Sequence, residues 1–187
     1  LTARVDVALQ GSLDQIKDFA AWSGEATGIF VGAAVHYELG DGFNATLVPG
    51  NNSVDYFAYT IDASVECSGF NVFAAFNGNH VDTSAGAGGF DQKGFVVQAG
   101  YMVVPDKLEP FARVEYLNDD TAGNGAALDD DAWVLTFGAN YYFSKGHDAK
   151  FTADVVWIVD GNTTNGFNNS HSQTPAGGAF APAAQSD

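Results

Sequence analysis

The chain has 187 residues, enough for one substantial domain and too few to argue for two. Its net charge is −16 with only 7 Lys and Arg, so it lacks the basic clusters that phosphate contacts need, and nucleic acid is not an expected partner. The single cysteine, Cys67, allows neither an internal disulfide nor a cysteine-based metal set. No apolar run approaches the ~18 residues of a spanning helix.

What the chain does carry is a two-residue alternation that returns in segment after segment. A strand turns successive side chains to opposite faces, so each such segment has one apolar and one polar face. The first is Thr2–Gln10, with Ala3, Val5, Val7 and Leu9 against Arg4, Asp6 and Gln10. Gly11–Gly28 breaks the pattern. Ser12-Leu13-Asp14-Gln15 has the form of a capping box ahead of a short helix, and a turn near Ser23-Gly24-Glu25 between extended strands fits equally well. The second segment is Ile29–Leu39, with Gly32, His36 and Glu38 on its polar face.

The third, Tyr56–Cys67, sets Phe57, Tyr59, Ile61, Ala63 and Val65 against Ala58, Thr60, Asp62, Ser64 and Glu66. The fourth is Phe70–His80, with Asn71, Phe73, Asn77 and Asn79 on the polar side. Gly94–Val104 and Leu108–Leu117 follow, the latter with Glu109, Arg113 and Glu115 on one face. Trp133–Phe143 and Lys150–Val159 close the series, with Asp154 and Lys150 on the polar face of the last.

The connections alternate in length. Cys67-Ser68-Gly69-Phe70, Val104-Pro105-Asp106-Lys107 and Ser144–Asp148 are short, whereas Gly40–Val54, Val81–Lys93 and Asn118–Ala132 are long and rich in Gly and Asp. Outer-membrane barrels have short periplasmic turns, long outer loops, strands of about ten residues and aromatic girdles. Tyr37, Tyr59, Tyr101, Tyr116, Trp133, Tyr141, Phe143 and Trp157 share the apolar face and form the expected girdles. The expected fold is therefore all-β, an antiparallel transmembrane β-barrel with about eight strands in this chain. Residues 1–187 are expected to form a single domain, a fragment of a larger barrel whose N-terminal half and closing strand lie outside the sequence.

Lys107-Leu108-Glu109-Pro110-Phe111-Ala112-Arg113-Val114-Glu115-Tyr116-Leu117, with Gly138–Phe143 and Val31–Tyr37, resembles the phosphate-selective porin O and P family. The resemblance covers Ile29 to Asp160 and implies a trimer of barrels of about sixteen strands. It implies no phosphate site here, because an anion path needs lining cations. The polar faces carry Arg4, Arg113 and Lys150 against Asp6, Glu38, Asp62, Glu66, Glu109, Glu115 and Asp154, with His36 among them. These eleven residues are the candidate lining of a water-filled pore.

They could act as an electrostatic filter favouring cations, or as cross-strand ion pairs that keep the lumen wet. Glu109, Arg113 and Glu115 are spaced for a local ion-pair ladder. The acidic stretch Asn118–Ala132 reads as a solvated outer loop; it does not match an EF-hand, and a divalent cation there is the weaker reading. No nucleophile elbow, phosphate loop or metal-ligand spacing is present, so neither catalysis, a cofactor nor a metal is expected. The expected function is passive diffusion of small hydrophilic solutes or ions across the outer membrane, with outer-membrane lipid as surroundings. Two alternatives remain: a small closed barrel that anchors the envelope or presents loops, and a soluble acidic β-sandwich.

Overall fold

A computed structural model describes residues 1–17, 20–39, 54–83, 89–120, 131–146 and 148–160. The alternating segments form eight strands, β1 (Thr2–Gln10), β2 (Gly28–Glu38), β3 (Val54–Cys67), β4 (Phe70–Thr83), β5 (Phe90–Tyr101), β6 (Leu108–Asp120), β7 (Asp131–Tyr142) and β8 (Lys150–Asp160). Each pairs antiparallel with the next, giving one sheet in sequence order. β5 stops at Tyr101 instead of reaching Val104. The loop ends of β4, β5, β6 and β7 run beyond the apolar pattern, because backbone pairing continues where the side chains have already become polar.

The short turns fix the register. Ser68 and Gly69 both have positive φ (31° and 91°), the mark of a two-residue hairpin turn whose twist matches its strands. From Cys67↔Phe70 the β3–β4 ladder runs without a break to Val54↔Thr83. Pro105 sits second in the β5–β6 turn, where Lys107 N–H donates to the Val104 carbonyl at 3.0 Å. Pro110 causes no loss on the β5 side, since that ladder ends one pair earlier at Gly100↔Phe111.

Exposure is inverted relative to a protein folded in water. On the apolar face Ile61 is 62% exposed, Phe137 54% and Val155 69%, whereas on the polar face Glu66, Asn71 and Thr136 are buried. A sheet in water must cover its apolar face with a second layer. Among the described residues there is one sheet and no second layer, so the sandwich alternative lacks its partner sheet. Lipid is the medium in which such a face is stable, with the backbone groups satisfied between strands. β1 and β8 each have one neighbour, so the sheet is not closed among the described residues.

Aromatic side chains mark the two edges of the apolar band. Phe76, Phe95, Tyr116 and Trp133 fall in one cross-strand row, with Tyr116 and Trp133 centroids 4.8 Å apart. Near the short turns Tyr141 and Phe143 meet edge to face at 5.3 Å. Trp133 and Phe143 span about 34 Å of strand at ~3.4 Å per residue. At the ~40° tilt usual in such barrels that is about 26 Å of depth, matching the ~25 Å lipid band. One row beyond Trp133 the same face turns polar with Lys93, Asn118 and Asp131, and Asn118 Nδ2 donates to Asp131 Oδ1.

The β1–β2 connection follows the capping-box alternative: β1 ends at Gln10 and β2 begins at Gly28, so the strands do not extend to the turn at Ser23-Gly24-Glu25. Leu13–Lys17 is a short 3-10 helix, opened by a capping box in which Ser12 N–H donates to Gln15 Oε1 at 2.9 Å and Asp14 N–H to Ser12 Oγ at 3.3 Å. A turn then follows, with Glu25 N–H donating to the Trp22 carbonyl at 3.1 Å and Gly24 at φ 79°.

Candidate functional site

The pairing register places all eleven candidate residues on the same face of the sheet, the one opposite the aromatic belts. That face curves around two cavities. One, of about 460 Å³, lies towards the long loops; it is lined by residues of β1 to β7, among them Thr2, His36, Tyr56, Asn77, Asn79 and Glu115. The other, of about 360 Å³, lies deeper and is lined by Arg4, Asp6, Asp62 and Glu66. Strands as distant as β1 and β7 share the larger space, so the polar face is concave.

Midway down the face, Asp6, Gly32 and Asp62 form one row across β1, β2 and β3. Arg4 lies across that row and forks both carboxylates, with Nη1 2.8 Å from Asp62 Oδ2 and Nη2 2.6 Å from Asp6 Oδ1. The fork depends on Gly32. A Cβ there would stand 2.6 Å from Asp62 Oδ1 and 2.8 Å from Asp6 Oδ1, so any side chain would displace the carboxylates. The same row continues to Glu115, which pairs with Arg113 Nε at 3.0 Å. Towards the long loops His36 Nδ1 meets Thr2 Oγ1 at 2.7 Å, and its Nε2 lies 3.5 Å from Glu38.

Nearer the short turns Glu109 leaves the expected ladder. It is 3% exposed and accepts from Asn71 Nδ2 at 2.5 Å, Asn140 Nδ2 at 2.9 Å and Tyr142 OH at 2.7 Å. Gly100 makes room for it, since a Cβ there would lie 2.6 Å from Glu109 Oε1. Glu109 is thus locked by neutral donors, whereas Arg113 pairs with Glu115 alone of the two expected carboxylates. Lys150 and Asp154 stand exposed on β8 at the open edge of the sheet.

A concave, acid-rich face backed by an exposed apolar band is the cross-section of a channel wall. The sequence model of the Gram-negative porin family matches residues 1–156. The chain belongs to the Gram-negative porin family. Membership makes this an outer-membrane channel protein of β-barrel type, and no helix among the described residues is long and apolar enough to cross a membrane. Neither curated proteins nor solved structures give a match.

The alternation in the sequence puts each of the porin's eleven candidates on the polar side of its strand but does not give their partners. The Arg4 fork is legible only once Gly32 is known to lie between two carboxylates. The Asn71–Glu109–Asn140–Tyr142 network needs the register of three hairpins at once. The short turns at Ser68 and Pro105 offered a signal, since each pins which residues face each other across its hairpin. Among the described residues no group of His, Cys, Asp and Glu could hold a metal ion. His147, His171, Asp129 and Asp130 lie outside the described residues, so the acidic-loop reading falls largely outside them as well.

Proposed function

We propose that this porin forms a water-filled pore for passive diffusion of small hydrophilic solutes, with a preference for cations. The observation that supports it best is the charge of the concave face: three bases, Arg4, Arg113 and Lys150, against seven carboxylates, Asp6, Glu38, Asp62, Glu66, Glu109, Glu115 and Asp154. A wall of one sign raises the local concentration of counter-ions and admits them faster. Arg4 cancels only part of the charge of Asp6 and Asp62, because one guanidinium serves two carboxylates. The finer likeness to phosphate-selective O and P porins brings no anion site with it, since no cluster of bases stands on this face. Assembly as a trimer follows from that likeness and completes the proposal.

Ion selectivity in planar bilayers tests it. Under a potassium chloride gradient the full-length protein gives a reversal potential of cation-selective sign. Asp62→Asn combined with Glu66→Gln moves that potential towards zero. An unchanged potential in the double variant refutes the filter.

A further inference from the structure

The β1–β2 connection is on the short-turn side, yet it is far longer than a hairpin needs. Its stretch Ala20–Trp22 does not hang into solvent. Ala20, Ala21 and Trp22 are 2%, 0% and 8% exposed, and Ala20 and Trp22 form a buried cluster with Met102 and Tyr142. Tyr142 has the inward parity of Asn140, and Met102 continues that of Gly100, so the connection packs against the concave face and not the lipid face. The Trp22 and Tyr142 rings meet nearly at right angles with centroids 4.9 Å apart.

Beyond Trp22 the connection is tied to every short turn of the sheet. Ser23 N–H donates to Asp106 Oδ1 at 2.7 Å in the β5–β6 turn. Gly24 N–H donates to Ser68 Oγ at 3.1 Å in the β3–β4 turn. Lys145, in the β7–β8 turn, donates to the Ser23 carbonyl at 3.4 Å and pairs with Asp106 at 3.4 Å. Two neighbouring residues, Ser23 and Gly24, thus meet three successive turns, which places them inside the curve of the sheet at its short-turn end. That end is the periplasmic one in an outer-membrane barrel.

We propose that the stretch Ala20–Gly24 of this connection is a fixed constriction at the periplasmic mouth of the channel, and that Trp22, wedged between it and the wall, sets its width. The inference rests on the porin reading. It fits the burial of Glu109, which accepts from the hydroxyl of the same Tyr142 that packs on Trp22. Solutes that have passed the half-buried carboxylates of Asp62 and Glu115 then meet a tethered bar whose apolar residues pack against the wall and whose exposed residues are Ser23 and Gly24. The bar discriminates by size, and the carboxylates above it discriminate by charge.

The test uses the full-length protein in planar bilayers. Trp22→Ala is expected to raise single-channel conductance about two-fold, because the narrowest section controls the current. It is also expected to admit larger neutral polyethylene glycols from the periplasmic side while leaving the reversal potential unchanged. A second variant covers the case in which Trp22→Ala fails to fold. Ser23→Cys, in a Cys67→Ser background, changes an exposed residue and leaves the buried cluster intact. A bulky neutral thiol reagent added to the periplasmic chamber then lowers its conductance stepwise. Conductance and polymer cut-off unchanged in Trp22→Ala, or no reagent effect on Ser23→Cys, overturns the constriction while the porin reading stands. A wild-type protein that does not conduct overturns both.

Discussion

Arginine placed at Phe137 gives the most direct test of where the membrane lies. Phe137 is midway along the outward face of β7, between Trp133 at the loop-side belt and Phe143 at the turn-side belt, with Ala112 and Val155 beside it. It stands about 14 Å along the strand from Trp133 at ~3.4 Å per residue. At a ~40° tilt that is about 10 Å of depth, so Phe137 is near the bilayer midplane and Trp133 near its edge. The measured quantity is the difference between Arg and Ala at each site, which cancels the loss of the aromatic ring. In lipid, that increment is about 2–4 kcal/mol at the midplane and about 0–1 kcal/mol at the interface. If the same face were bathed in water, both increments would lie within about 0.5 kcal/mol of zero. Equilibrium unfolding of the full-length porin from lipid vesicles in urea measures all four variants. Equal small increments at Phe137 and Trp133 refute the placement of the apolar band in lipid.

Three further outcomes follow from the concave face. Tyr142→Phe removes one hydrogen bond to a buried carboxylate and changes little else, so unfolding from vesicles becomes easier by about 1.5–3 kcal/mol. Gly100→Val forces a side chain against Glu109 and Asn71 and costs about 1–3 kcal/mol by overpacking, read in the same assay. Arg4→Gln costs at most about 1 kcal/mol, since the Arg4 side chain is 42% exposed and its pairs are screened by solvent. It nevertheless strengthens cation preference in bilayer recordings, because Asp6 and Asp62 lose their shared counter-charge.

The all-β alternation was legible because a strand has a period of two and a lipid-facing strand demands that the period be kept. Ile61 and Phe137 cannot be exchanged with Asp62 and Thr136 without exposing charge to hydrocarbon, and this constraint writes the face of every residue into the sequence. The ends of the strands were less legible. Lys93, Asn118 and Asp131 leave the apolar pattern, but their backbones go on pairing above the belt, where water tolerates any side chain. The β1–β2 connection was the least legible part. A turn of two residues has few geometries, as at Ser68-Gly69, and fixes its hairpin. A long connection carries no such rule, and a register shift between Ala8 and Gln10 adds to the uncertainty in that hairpin. The burial of Trp22 is set by Tyr142 and Met102, residues far along the chain whose nearness no local pattern encodes.

The inward carboxylates divide into two kinds once their surroundings are compared. Asp6, 35% exposed, and Asp62, 16% exposed, face the cavity beside a single guanidinium, which is where the proposed filter would act. Glu109 is enclosed, with three neutral donors directed at its two oxygens, and behaves as a brace joining β4, β6 and β7. A carboxylate engaged in this way stiffens the wall, because each donor fixes a strand against its neighbours in a region of low dielectric. The formal excess of carboxylates on this face therefore exceeds the charge presented at its turn-side end, where Glu109 is enclosed. In the proposed filter, selectivity by charge falls to the row Asp6, Gly32, Asp62 and Glu115, where the absence of a side chain at Gly32 lets Arg4 meet two carboxylates at once. Towards the short turns the wall is braced by Glu109, whose two oxygens are held by three neutral donors and so are turned away from such a role.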